Sequence, residues 1–234
     1  MSLNSVPLYT DNSKLREFDA SIVRSGLRYV ILSQTAFYPE GGGQPHDSGL
    51  LVTPDRTVKV LKVKKIGLEI FHYIDSDLPS GIQVHGIVDW GIRLWNTRRH
   101  SAEHLITGLI ESLGEPPKVF SSLDRLEYQP SKLTQDQVDA VAERFNKIVE
   151  ENAPVHIYYE DRASIDTSGD PRKQAFLKKI PSTVNTLRMV DIGGYALTFC
   201  MGTHVESTGE IGRVELKLEN AKKERKILYF AISP

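Results

Sequence analysis

The chain has 234 residues, 40% hydrophobic and 25% charged, with a net charge of −1; this suits one large domain or two small ones and excludes a collagen, a disordered tail or a disulfide-dense miniprotein. A single cysteine, Cys200, rules out an internal disulfide, so packing, aided or not by a metal, must supply the stability. No apolar run approaches the roughly 18 residues of a membrane span, and no basic segment precedes an apolar one at the N terminus, so a cytoplasmic compartment is expected.

Residues 1–88 are β-rich in pattern. Tyr29-Val30-Ile31-Leu32, Leu50-Leu51-Val52, Thr57 to Leu61 and Ile70 to Ile74 are short β-branched and aromatic runs separated by Gly, Pro, Asp and Ser, a spacing that predicts a small barrel or sandwich. From Trp90 the period becomes helical, with Ala102, Leu105, Ile106, Leu109, Ile110 and Leu113 on one stripe and Gly114 as a C-cap. A domain boundary near Asp89 follows. Thr134 and Gln137 form a capping box, flanked by Leu133 and Val138 as a hydrophobic staple, and predict a helix to about Glu151. Asp170-Pro171 predicts another, ending near Lys179. The period then returns to two. Val214, Leu216 and Leu218 alternate with charged residues, and Ile227 to Ile232 is apolar on both faces, which predicts a hairpin through Ala221-Lys222-Lys223-Glu224 whose second strand is buried. The fold class expected is therefore α+β.

Two spacings carry chemistry. His100-Ser101-Ala102-Glu103-His104 lies on the first helix, where residues four apart share a face, and that face points away from the apolar stripe. Cys200-Met201-Gly202-Thr203-His204 repeats the separation at a strand-to-turn junction. Three imidazoles and one thiolate suit tetrahedral zinc. A closed four-ligand site would be structural and an open one catalytic, and the spacing leaves both possible. Cys200 as a nucleophile with a histidine base is an alternative, but it does not require the second helical histidine.

The segment Phe37-Tyr38-Pro39-Glu40-Gly41-Gly42-Gly43-Gln44-Pro45-His46-Asp47-Ser48-Gly49 is also unusual. It is not a P-loop, since no Gly-Lys-Ser/Thr follows. Three adjacent glycines suit positive φ or a close backbone approach, and equally a tight hairpin turn.

These segments, with Ser207-Thr208-Gly209-Glu210-Ile211-Gly212 and in this order, resemble the editing domain of alanyl-tRNA synthetase. More closely, the chain is similar to the free-standing, medium-length alanyl-tRNA editing hydrolases. The resemblance spans nearly the whole sequence. It implies an N-terminal β-barrel with the glycine motif (1–88), then a zinc-binding two-layer α/β editing domain with a mainly antiparallel sheet (89–234). It implies hydrolysis of mischarged tRNA(Ala), chiefly seryl-tRNA(Ala), with Zn2+ on His100, His104, Cys200 and His204. Ser121, 17 positions after the second histidine, takes the place of the hydroxyl residue that recognises serine. Gly41, Gly42, Gly43, Gln44 and Thr203 are expected to contact the substrate end. Two departures stand out: Met201 replaces a glycine common in the family, and Pro116 to Tyr128 is shorter than usual.

Three rival readings remain. His100 to His104 is also H-x-x-E-H, the inverted zinc-peptidase pattern with Glu103 as base, whereas in the editing reading position 103 has no fixed catalytic role. An editing domain of the threonyl type would remove serine from a different tRNA. Residues 171–234 carry 11 Lys and Arg against 6 Asp and Glu, while residues 1–170 carry 18 against 24. A non-catalytic zinc-stapled RNA-binding module would use that excess, with Lys222, Lys223, Arg225 and Lys226 on phosphates, although an exposed turn accounts for the same residues.

Overall fold

Short β-branched runs broken by Gly, Asp and Pro give strands throughout the N-terminal part. The structure, a computed structural model, describes residues 5–114, 118–121, 126–165, 177–178, 180–221 and 225–232, and for 121, 220–221 and 225–232 it describes the backbone. The strands of the first part are β1 (Val6–Pro7), β2 (Glu17–Gly26), β3 (Tyr29–Leu32), β4 (Gln34–Thr35), β5 (Gly49–Val52), β6 (Thr57–Ile66), β7 (Glu69–Ile74) and β8 (Gln83–Val88). Six close a barrel in the order β2-β3-β7-β6-β5-β8, with every neighbour antiparallel, so no barrel edge is left unpaired. Inward positions alternate: along β2, Phe18, Ala20 and Ile22 are buried among Val30, Leu32 and Leu51. His72 lies in this core without an orphaned nitrogen, its Nε2 2.8 Å from Thr35 Oγ1 and its Nδ1 3.3 Å from the Val30 carbonyl.

Helix α1 (Trp90–Glu111) starts where Asp89 accepts a hydrogen bond from Ile92 N. Ala102, Leu105, Ile106 and Ile110 enter the second core as their spacing predicts. Leu113 does not. The helix stops at Glu111 with Ser112 as its cap, which leaves Leu113 exposed and puts Gly114 at φ 81 beyond the cap position expected for it. Helix α2 (Gln135–Glu151) carries the full Thr134–Gln137 capping box, and Leu133 and Val138 are both buried beside it.

The remaining strands are β9 (Val119–Ser121), β10 (Leu126–Ser131), β11 (Val155–Asp161), β12 (Thr186–Ile192), β13 (Ala196–Phe199), β14 (Val214–Ala221) and β15 (Arg225–Ile232). They form two antiparallel sheets, β14-β15-β10-β9 and β11-β12-β13. The fold class is α+β, as expected. The predicted hairpin is β14–β15, paired from Val214↔Ile232 to Ala221↔Arg225, and β15 lies inside its sheet between β14 and β10. Leu105 and Ile106 of α1, Phe145 and Ile148 of α2, Val190 of β12 and Val214 of β14 share one core. The helix expected over Asp170–Lys179 lies outside the described residues except for Leu177 and Lys178. Among the described residues no helix is long and apolar enough to cross a membrane.

Candidate metal centre

Helix α1 buries two faces of different character: the apolar one enters the core, and Arg93, Asn96, Thr97 and His100 on the other are covered by polar loops. One cover is the turn after β13. There Arg188 of β12, itself buried, donates from Nη1 to the Cys200 carbonyl at 2.5 Å and the Gly202 carbonyl at 3.1 Å, and from Nε to the Thr10 carbonyl at 3.1 Å. One guanidinium thus ties the Cys200–Gly202 turn to the segment leading into the barrel. A Cβ on Gly202 would fall 2.1 Å from His100 Cε1, so only glycine lets the turn lie on the imidazole. Met201 beside it is 42% exposed, which is why a long side chain fits there.

Under this turn, ligand atoms of His100, His104, Cys200 and His204 all lie within 4.8 Å of one another, a group that can hold a metal ion. The Nε2 atoms of His100 and His104 are 3.1 Å apart, and Cys200 Sγ is 3.6 Å from His100 Nε2. Donors about 3.5 Å apart are what tetrahedral bonds of about 2.0–2.3 Å require. The tautomer of His204 follows from its neighbours. Ser101 Oγ donates to the Thr97 carbonyl at 3.0 Å, so it accepts from His204 Nδ1 at 3.1 Å, and His204 Nε2 is left buried with no hydrogen-bond partner among the described residues. An orphaned imidazole lone pair aimed into a cluster of donors fits a cation.

The electrostatics agree. Burial pushes His104 down to about 4, and burial, with the neighbouring imidazoles, drives His100 and His204 well below their ordinary value, so all three imidazoles are neutral, the form that can ligate a metal. Burial pushes the Cys200 thiol up to about 11, opposed by the Gly202 N–H on its sulfur and by Arg188. Such a thiol gives up its proton when a metal replaces it.

The second cover is the glycine loop. Gly41 and Gln44 exchange backbone hydrogen bonds of 3.1 and 3.0 Å, so the tight turn is real, and Gly42 and Gly43 take φ 57 and 86. The loop also docks on the site. Gln44 Nε2 donates to Thr203 Oγ1, and Thr203 Oγ1 is 2.7 Å from Thr97 Oγ1 on α1. Three residues on, Asp47 pairs with Arg93 of α1, both side chains fully buried, while Arg93 also donates to the Ser13 and Ala36 carbonyls. Sequence reasoning gave no role to Asp47, Arg93 or Arg188. Arg188 alone carried a signal, a cation set between the apolar Leu187 and Met189-Val190.

The structure therefore brings His100, His104, Cys200, His204, Thr203, Gln44 and Gly41–Gly43 to one place. Gly41, Gly42 and Gly43 are exposed, but Gln44 and Thr203 are buried and spend their polar atoms on each other. Ser121 ends β9 opposite Leu126, and its side chain lies outside the described residues. So do Lys222 and Lys223 and the side chains of Arg225 and Lys226.

A closed barrel docked on a helix that supplies half of a His3Cys group defines an α+β protein whose donor cluster could hold a metal ion. Residues 8–92 match the family described as tRNA synthetases class II (A), and residues 187–227 match the threonyl and alanyl tRNA synthetase second additional domain. The chain is 32% identical to the alanyl-tRNA editing protein AlaX-M of Methanosarcina acetivorans, over 96% of its own length and 98% of the relative's. The AlaX-M of Methanosarcina barkeri is 30% identical over the same shares. The alanine–tRNA ligase of Ignicoccus hospitalis is 30% identical over 89% of this chain, which spans only 24% of that enzyme. The chain belongs to the AlaX-M family of alanyl-tRNA editing proteins.

Proposed function

We propose that this protein is a zinc-dependent aminoacyl-tRNA hydrolase of the cytoplasm that deacylates mischarged tRNA(Ala), chiefly seryl-tRNA(Ala). The observation that carries the reading is the convergence of His100, His104, Cys200 and His204 beneath the glycine loop, in a chain matching AlaX-M proteins end to end. Residues 1–88 act as the glycine-motif barrel and 89–234 as the editing domain.

Zinc, when bound, supplies Lewis acidity that lowers the barrier to attack of water on the ester. The protein's own residues prepare the place. Neutral imidazoles keep their lone pairs for the metal, and Ser101 fixes the orientation of His204. Gly41, Gly42 and Gly43 present backbone without side chains, so the 3′ end of the tRNA can approach closely. Gln44 and Thr203 hold that loop on the site. Ser121 hydrogen-bonds the serine hydroxyl, which alanine lacks. Discrimination of this kind is needed because a pocket built for alanine cannot strongly reject an added hydroxyl.

The inverted-peptidase reading gives Cys200 and His204 no role, although both stand in the donor group. Release of labelled serine from seryl-tRNA(Ala), beside alanyl-tRNA(Ala) and seryl-tRNA(Thr), tests the reading. Catalytic release from seryl-tRNA(Ala) far above both others is expected. Equal rates on seryl-tRNA(Thr) would assign the threonyl type, and a shielded, intact ester would leave only a binding module.

A further inference from the structure

Glu103 lies between the two helical histidines in sequence, about 60° around the helix from His100, on the flank of the metal-facing surface. Its carboxylate reaches the glycine loop. A Cβ placed on Gly43, at φ 86, would lie 3.0 and 3.2 Å from its two oxygens, so the carboxylate lies directly against the backbone of the loop. Tyr128 donates to the Glu103 backbone carbonyl at 3.2 Å, which pins this turn of α1 and leaves the carboxylate itself uncommitted. Among the described residues that carboxylate has neither a hydrogen bond nor an ion pair, and the Arg99 guanidinium, one turn earlier, attracts it electrostatically. It stops short of full enclosure, half-buried where the exposed glycine loop meets the donor cluster.

We propose that Glu103 binds the α-ammonium group of the aminoacyl ester as the ester enters the metal centre. This rests on the reading of the protein as an aminoacyl-tRNA hydrolase and extends it to a residue that the reading left idle. A half-buried carboxylate without a hydrogen-bond or ion-pair partner among the described residues favours a cation. The substrate brings one: in an aminoacyl ester the amine is free and the carboxyl is tied up in the ester bond. Hydrolysis adds water across that bond, returns the ribose hydroxyl and leaves the amino acid with a carboxylate of its own. That new negative charge is repelled by Glu103. The same side chain thus favours entry of the ester and departure of the product.

The experiment compares the parent with Glu103→Gln and Glu103→Asp on seryl-tRNA(Ala) and N-acetyl-seryl-tRNA(Ala), with metal content and melting temperature measured on the same preparations. The parent is expected to prefer the free amine. Glu103→Gln is expected to lose about 10- to 100-fold in kcat/KM on seryl-tRNA(Ala), the range of a charge-assisted hydrogen bond, with no change on the acetylated substrate and metal retained. Glu103→Asp keeps the preference for the free amine at a lower rate. An equal loss on both substrates, as a general base or a misfolded site would give, overturns the proposal, as does no loss on either. A parent that turns over neither substrate refutes the hydrolase reading itself, and this inference with it.

Discussion

Gln44 and Thr203, 159 positions apart, exchange two hydrogen bonds: Gln44 Nε2 donates to Thr203 Oγ1 at 2.9 Å, and Thr203 N donates to Gln44 Oε1 at 3.0 Å. One amide joins the barrel's glycine loop to the turn that carries Cys200 and His204. Gln44→Ala leaves a buried Thr203 N–H unsatisfied, at about 1–3 kcal/mol, and frees the loop. The expected outcome is a lower melting temperature, near-normal metal content and deacylation at least about tenfold slower per metal-loaded molecule. Metal analysis and kcat/KM on one preparation check it, and unchanged deacylation would mean that the bond only staples the fold.

Asp47 and Arg93 form the buried ion pair of the same seam. Breaking such a pair from one side strands a charge and costs about 3–5 kcal/mol, whereas replacing both partners with apolar residues costs much less. Asp47→Ala should therefore destabilise the protein more than the double change Asp47→Leu with Arg93→Met. Denaturant melts of the three proteins test the order.

The barrel predicts a pH dependence of its own. Burial drives His72 down from the ordinary 6.5 to about 4. Below about 6.5 the unfolded chain takes up a proton that the folded one refuses until about 4, so the stability this group contributes is intact above 6.5 and is lost as pH falls from 6.5 to 4. The full loss is on the order of 3 kcal/mol. His72→Gln, neutral throughout, should flatten the dependence of unfolding free energy on pH by close to one proton. Equal slopes in parent and variant would contradict this.

Much of this architecture was legible in the sequence. Capping chemistry is local, so Thr134 and Gln137 marked the start of α2, and i,i+4 spacing placed His100 and His104 on one face. Long-range agreements were not legible. Nothing near Arg93 says that its charge is met by Asp47, 46 residues earlier, or that Arg188 is spent on the carbonyls of the Cys200 turn. The glycine triplet was ambiguous because a tight turn and a close approach ask for the same residues: it is a tight turn, and that turn also docks beside the His100–His204 donor group through Gln44 and Thr203. Leu113 misled because periodicity continues past the point where the backbone stops.

Serine selectivity is expected to reside in Ser121. Ser121→Val removes the hydroxyl's partner and should narrow the ratio of seryl-tRNA(Ala) to alanyl-tRNA(Ala) deacylation, mainly by slowing the former. Paired rate measurements on the two substrates decide it, and an unchanged ratio moves recognition to another residue.

The most direct test is to strip the protein with a chelator, return zinc in steps, and measure serine release from seryl-tRNA(Ala) at each step. With four donors within 4.8 Å forming one site, turnover should be lost on stripping, rise in proportion to added zinc and level off at about one zinc per chain. Full turnover by the metal-free protein, or no release of serine at any loading, would contradict the account.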